Sequence, residues 1–341
     1  MRAAVLRELR NPLLIEEVQI PDIGPDDVLV QTRACGICGT DLHIQDGWGY
    51  TPTLPFVMGH EASGIVAKIG RNVTRFAVGD RVVPNNFFTC GVCPYCRTNR
   101  ETQCIDLSGI LGVLTYWGGY GEYFRISARQ LFHLPGSISF EDGSVIADAV
   151  VTAVHAVQIG RIRAGETVVV IGIGGCGAAA LQACALYGVQ VIAVDRSPTK
   201  LEWAMKLGAV GAILAPTEDV PRAVRALTDG FGAHCAIDAV GSSATMQQSV
   251  NALARGGRLV QLGYTQERYE LDPRQVAVNE LEILGTRSGG RQATADAIQL
   301  VSHPRWQSIV SDLFPITQVN DALALLRSGQ ALGRVVLTFP S

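Results

Sequence analysis

The chain has 341 residues, of which 48% are hydrophobic and 17% charged, and its formal net charge is −3. At roughly 150 residues per domain that length carries two domains, and the small net charge gives no bulk attraction to nucleic acid or to anionic lipid. The N-terminus, MRAAVLRELRNPLLIEEV, mixes acids with apolar residues and does not read as a secretory signal, so a soluble cytoplasmic protein is expected.

In chain order, the first 130 or so residues read as short strands and turns: VLVQTRA, GIVAKIG and RVVPNNF are β-rich runs separated by Gly, Pro and Asp. Two stretches there carry metal-ligating side chains. ACGICGTDLH holds Cys35, Cys38, Asp41 and His43, and VMGHEASG holds His60 and Glu61. Taken alone, Cys35 and Cys38 form a C-x-x-C that is open to a thioredoxin-like redox role, and His60 is open to an ordinary place in a core or turn.

The next stretch, CGVCPYCRTNRETQC, puts Cys90, Cys93, Cys96 and Cys104 within fifteen residues, at C-x2-C-x2-C-x7-C spacing. Nine cysteines is an odd count in a chain that is neither short nor evidently secreted, which favours metal binding over disulfides. Four thiolates in one short loop fill the tetrahedral sphere of a zinc ion. They leave no position for a substrate, so the metal held there is expected to be structural. The intervening RTNRE is polar, as a solvent-exposed lobe should be.

Near Phe140 the pattern changes. FEDGSVIADAVVTAVHAVQIG spaces apolar residues as a helix does, with acids near its start and Gly at its end. Strand and helix then alternate. ETVVVIGIG reads as a buried strand, CGAAALQACALYG as a helix and VQVIAVD as a second strand. SPTKLEWAMKLG reads as a helix with Ser197 as N-cap, Pro198 at its first position and Gly208 just past its end. AHCAIDAVG, GRLVQLG and LEILGTRSGG add strands, and this order implies parallel βαβ units. The tail GRVVLTFPS returns to strand character and fits either domain.

The most apolar run, Val168 to Leu186, has the length of a membrane span but is interrupted by four glycines. Gly172, Gly174 and Gly177 form G-x-G-x-x-G directly after a strand and before a helix, the context in which glycines let a pyrophosphate approach the backbone and a helix N-terminus. Asp195 ends the second strand, 18 residues after Gly177, where a carboxylate accepts hydrogen bonds from ribose hydroxyls and repels a 2′-phosphate. NAD is therefore expected over NADP, although the neighbouring Arg196 is a residue that accommodates such a phosphate.

GICGTDLH, MGHEASG, the four-cysteine lobe and GIGGCG, in this order and at these distances, resemble the zinc-dependent medium-chain alcohol dehydrogenases over essentially the whole chain. The resemblance implies an α/β protein: a GroES-like β-rich catalytic domain over 1–150 with the zinc lobe at about 88–106, a Rossmann doubly wound parallel sheet over 151–287, and a return to the catalytic domain over 288–341. It implies two zinc ions per chain, NAD, a small alcohol or carbonyl substrate, and a homotetramer or homodimer with no nucleic-acid or membrane partner.

Position by position, it makes Cys38, His60 and Asp148 ligands of a catalytic zinc, with Asp148 standing where many relatives have Cys. Glu61 becomes a ligand or a close switch, Cys35 has no ligand role, Thr40 and His43 form a proton relay, and Asp41 is a turn and relay-orienting residue. Thr152, Gly175, Val240, Leu262, Lys200 and Arg334 join the glycines, Asp195 and Arg196 around the cofactor. Trp48, Tyr116 and Trp117 fall in segments that line the substrate pocket of relatives, and they suggest a medium-sized apolar or aromatic alcohol. A polyol or amino-alcohol dehydrogenase of the same family is the alternative. A zinc-free reductase or a non-catalytic zinc-binding scaffold is the alternative from a different class.

Overall fold

The computed structural model describes residues 1–340, which cluster into two compact units. One comprises Met1–Val151, Gly289–Pro304 and the chain from Ser308 onward; the other comprises Thr152–Ser288 with Arg305–Gln307.

The first unit is built on a seven-stranded sheet in the order Leu131–His133, Arg81–Pro84, Glu61–Ile69, Asp27–Ile37, Arg334–Thr338, Val310–Pro315, with Tyr123–Ser127 also paired to Asp27–Ile37. The eleven-residue strand Asp27–Ile37 is its axis. Its first half pairs with Tyr123–Ser127, its second half with Arg334–Thr338, and its other edge with Glu61–Ile69, all antiparallel. The tail strand thus belongs to this unit. Val30, Ile37, Phe56, Met58 and Phe124 are among the side chains that close the core.

The register of this sheet has a direct consequence for chemistry. Gly36 sits opposite Glu61. The end of one strand therefore meets the start of the next, so Cys38 and His60 become neighbours although 22 positions separate them in sequence.

A helical stretch runs from Phe140 to Ile159, with Ser139 as N-cap accepting from the Asp142 backbone N–H at 3.0 Å. It is not uniform: Ile146–Val150 is a π turn. Such turns leave a carbonyl out of the α-helical ladder, and here the Asn86 side-chain amide donates to the Ala147 carbonyl at 2.9 Å. Ser63 Oγ donates to the Phe140 carbonyl at 2.6 Å, fixing the start of the helix to the strand that follows His60.

The second unit contains a six-stranded sheet in the order Gly211–Leu214, Gln190–Asp195, Thr167–Ile171, Ala233–Asp238, Leu253–Gln261, Glu282–Gly285, with every neighbouring pair parallel. Helices Gly175–Leu186, Pro198–Lys206, Val220–Ala226, Ser243–Ala252 and Pro273–Asn279 connect its strands. This is the doubly wound α/β order. The apolar run from Val168 to Leu186 becomes one strand and one helix of this unit, most of it buried. One other stretch, Phe140–Ile159, is apolar and long enough to cross a membrane, but 72% of its most apolar window is buried within the protein, as expected of a core helix.

Candidate metal centre and cofactor loop

Cys38 caps the helix Gly39–Asp46, His60 directly precedes the strand Glu61–Ile69 that Glu61 opens, and Asp148 lies in the π turn. One ligand atom from each of these four residues lies within 4.8 Å of all the others. Cys38 Sγ is 3.5 Å from Asp148 Oδ2, and His60 Nε2 is 3.6 Å from the same oxygen. A thiolate, an imidazole and carboxylates are a donor set that suits zinc, and the cluster fits one divalent ion. His60 and Glu61 are almost fully buried, whereas the Asp148 side chain retains 16% of its exposure, so the site meets solvent on the Asp148 side.

Two glycines make the room. A Cβ on Gly36 would stand 2.1 Å from Glu61 Oε2, and one on Gly59, at φ +95°, would stand 2.3 Å from the Tyr120 ring. A side chain at Gly36 would displace the candidate ligand Glu61, and one at Gly59 would displace the Tyr120 ring.

Electrostatics follow from burial and crowding. Burial pulls the His60 imidazole down, but the carboxylates of Asp41 and Asp148 and the Cys38 thiol outweigh it and hold the ring well above its ordinary value. Burial pushes Asp148 up, yet His60 and Arg334 more than offset this and leave it well below the usual carboxylate range. Burial raises Glu61 to about 8, against the pull of the Arg334 guanidinium, whose Nη2 lies 3.1 Å from Glu61 Oε1. A divalent cation adds a further pull toward the carboxylate. It also requires the imidazole in its neutral form, since only a free ring nitrogen can serve as a ligand.

Asp41 does more than shape a turn. Its Oδ2 accepts from the Cys38 backbone N–H at 2.8 Å, and its Oδ1 is 3.4 Å from His60 Nδ1, long for a hydrogen bond. The fully buried carboxylate therefore spans two ligand residues. Outer carboxylates of this kind set the tautomer and orientation of a metal-bound histidine, and their loss typically costs 10- to 100-fold in metal affinity. Asp41→Asn is expected to weaken zinc binding by about that factor, read by competition with a chromophoric chelator. Unchanged affinity would leave Asp41 a turn residue alone.

Thr40 Oγ1 lies 3.8 Å from Cys38 Sγ. Three residues on, the His43 ring stacks against the Trp48 indole with centroids 3.8 Å apart, tilted by 33°. Burial lowers His43 below its ordinary value despite Asp46 and Asp41 nearby, which favours the neutral imidazole, the form that accepts a proton.

Tyr116 and Trp117 are placed differently. Tyr116 stacks on Phe88 at 3.7 Å, and with Trp117, Pro21, Thr115 and Arg125 it lines a cavity of about 180 Å³. None of the four candidate ligands lines that cavity. Cys35 is fully buried, and burial keeps its thiol well above the ordinary value, in keeping with a packed residue.

The four-cysteine lobe also converges. Sγ separations are 3.9 Å for Cys90–Cys96, 3.5 Å for Cys93–Cys96, 4.0 Å for Cys93–Cys104 and 3.6 Å for Cys90–Cys104. Four sulfurs at about 2.3 Å from one tetrahedral ion lie about 3.8 Å from each other. None of the nine cysteines forms a disulfide. A backbone N–H from Cys96 lowers Cys93 to about 6, while burial raises Cys96 to about 12. A bound divalent ion favours all four as thiolates.

In the second unit, Gly172, at φ +88°, follows the strand Thr167–Ile171 and lies against Val240, which a Cβ would meet at 2.4 Å. A Cβ on Gly177 would stand 1.8 Å from the Gly172 carbonyl oxygen, so no other residue closes this turn. Gly174 caps the helix that Gly175 begins, and the space where its Cβ would be is open. Asp195 spans the loop: Oδ2 accepts from the Ile173 N–H at 2.7 Å and Oδ1 from the Ser197 N–H at 2.9 Å. Val240 and Leu262 follow the ends of the neighbouring strands, and Asp238 fixes both by accepting their backbone N–H groups. The predicted loop residues thus gather at the carboxyl edge of the parallel sheet, where such folds bind nucleotides.

Lys200 sits in the first turn of Pro198–Lys206, Arg196 is exposed, and Thr152 is buried. Arg334 has its own partners inside the first unit: besides Glu61, its Nη1 donates to the Ile37 carbonyl at 3.1 Å.

Comparison with known proteins returns consistent relatives. Residues 24–136 match the family described as alcohol dehydrogenase GroES-like domain, and residues 175–303 match zinc-binding dehydrogenase. The chain is 34% identical over 339 residues to an alcohol dehydrogenase of Geobacillus stearothermophilus, covering 99% of each. It is 31% identical over 334 residues to a sorbitol dehydrogenase of Bacillus subtilis, covering 95% of this chain and 92% of that one. Among solved structures it resembles the alcohol dehydrogenase of the archaeon Aeropyrum pernix with a TM-score of 0.92 and 33% identity, over 99% of this chain and all of the other.

Proposed function

Because this chain belongs to the zinc-dependent medium-chain alcohol dehydrogenase family, we propose that it is a reversible, NAD-linked alcohol dehydrogenase that holds two zinc ions and prefers medium-sized apolar or aromatic alcohols. The observation that carries this reading is the convergence of Cys38, His60, Glu61 and Asp148, with Thr40 beside Cys38 and His43 on the same helix.

A zinc ion held by these ligands would supply an electrophile that acidifies an alcohol hydroxyl or polarises a carbonyl, and NAD would supply the hydride acceptor. The protein's own residues do the rest. Thr40 Oγ holds the hydroxyl proton as it leaves, and the His43 imidazole accepts it and returns it to solvent. Asp41 keeps His60 oriented. Trp48, packed on His43, presents an apolar wall that favours hydrocarbon over hydroxyl-rich substrates. Steady-state kcat/KM for benzyl alcohol should exceed that for sorbitol and for threonine by at least about tenfold. Turnover of polyols alone would overturn the substrate preference and leave the alcohol dehydrogenase reading standing.

The cofactor preference rests on Asp195. Its removal both frees the ribose position from a negative charge and unties the Ile173 and Ser197 backbone groups. Asp195→Ala is expected to lower kcat/KM with NAD by about 10- to 100-fold. It should also narrow the NAD/NADP ratio, because Arg196 is then free to pair a 2′-phosphate. An unchanged ratio would remove Asp195 from the discrimination.

A further inference from the structure

The sheet of the second unit has a second edge. Its nucleotide loop lies at the carboxyl ends of the strands; the opposite ends frame a cavity of about 270 Å³. Glu166 precedes the strand Thr167–Ile171, His234 is the second residue of Ala233–Asp238, and Glu282 begins Glu282–Gly285. Between them Leu253–Gln261 bulges: Ala233 pairs with Leu253, but Cys235 pairs with Arg258. Gly256, at φ +69°, turns the chain within that bulge, and Arg255 and Arg258 both line the cavity, with Arg161 and Arg163.

Four guanidinium groups around one cavity stand out in a chain whose formal net charge is −3. Two of them are compensated. Arg258, 11% exposed, donates to Glu166 Oε1 at 2.7 Å and to the Arg161 carbonyl at 3.1 Å, and Arg161 pairs with Glu282. Glu166 is further held by the Arg163 backbone N–H at 3.1 Å. The acids are thus already engaged. Arg163 and Arg255 are exposed and form no ion pair among the described residues. His234 adds a donor: its Nδ1 accepts from the Thr167 N–H at 3.0 Å, which places the proton of the neutral ring on Nε2.

A concave site with two uncompensated guanidinium groups above an anchored third suits an anion with several oxygens, since each guanidinium fork matches two of them. The volume of about 270 Å³, near the lower end of ligand pockets at about 300 Å³, suits a compact ligand. We propose that this cavity binds a compact multivalent oxyanion, a phosphate-bearing or polycarboxylate metabolite, with Arg163 and Arg255 as its charge partners. The site is distinct from the nucleotide loop and goes beyond the dehydrogenase reading.

The test is calorimetric titration of the full-length, zinc-loaded protein, saturated with NAD, at low and constant ionic strength. Pyrophosphate and citrate are the two ligands, and potassium chloride is the control. Binding with a Kd below about 1 mM is expected for at least one of the two, weakening as salt is added, and the stronger of them identifies the source. The Arg163→Gln/Arg255→Gln double variant should weaken it at least tenfold, whereas Arg222→Gln, on an exposed helix position of the same unit, should not. At ten times Kd the wild-type unfolding midpoint should rise by roughly 2–4 °C, and that of the double variant should not. Because the two side chains make no ion pair, the double variant should unfold at the wild-type temperature without ligand. Binding of neither anion, or binding that survives the double substitution, overturns the proposal.

Discussion

Replacing Cys38 with alanine is expected to remove one of the two zinc equivalents per chain proposed above and to reduce alcohol oxidation by at least about 10³-fold, with little change in unfolding midpoint. The site needs Cys38 as its only thiolate: the other candidate ligands are one imidazole and two carboxylates, of which Glu61 is raised to about 8 by burial and engaged by Arg334. Without the sulfur, two ligands and a reluctant third remain. Loss of an electrophile that supplies several kcal/mol of charge stabilisation corresponds to three or more powers of ten in rate. The fold should hold because Cys38 lies at a helix N-terminus whose capping contact, Asp41 Oδ2 to the Cys38 N–H, uses the backbone and survives the change. Two measurements decide the matter together. Two zinc equivalents retained in the variant would exclude Cys38 as a ligand, and one equivalent with undiminished turnover would exclude the bound metal from the reaction.

How much of this site was legible in the sequence depends on what each feature is made of. The dense cysteine lobe and the glycine loop are local: their spacing encodes both the residues and the contacts among them. The sulfurs of Cys90, Cys93, Cys96 and Cys104 do meet at distances fit for one ion, and the helix after Ser197 begins on the cap and proline that announced it. Asp148 is marked in the sequence by the resemblance alone. The π turn that presents it has no sequence signal of its own, because it depends on Asn86 reaching the Ala147 carbonyl from another element. Asp41 against His60 and Arg334 against Glu61 were hidden for the same reason. Both contacts join segments that only the strand register brings together, and for Arg334 that register spans 297 positions to Ile37. The aromatic residues divide between two places. Trp48 packs on His43, but Tyr116 and Trp117 line a cavity in which no candidate ligand takes part, since large rings are drawn as readily to any apolar neighbour as to a substrate.

The opposite dissociation is expected for the lobe. Cys96→Ser should also leave one zinc equivalent per chain, but it should lower the unfolding midpoint by roughly 10 °C while the enzyme that remains folded keeps most of its turnover. Cys96 is buried, and its sulfur lies within 4 Å of those of Cys90 and Cys93. A serine there cannot replace the thiolate, and three sulfurs leave the ion open to water and chelators. Little else holds the segment: its regular structure is two single 3₁₀ turns, Cys96–Thr98 and Glu101–Gln103, and Val92 and Ile105 are exposed rather than packed. Metal binding in such a loop is folding free energy, so losing it should melt the lobe first and expose Glu101, which is buried against Gly290. Zinc analysis, thermal unfolding and initial rates on the same preparation separate the two sites. An unchanged midpoint would mean that the lobe is held by its polypeptide alone, and a loss of turnover equal to that of Cys38→Ala would mean that the dense cluster takes part in the chemistry.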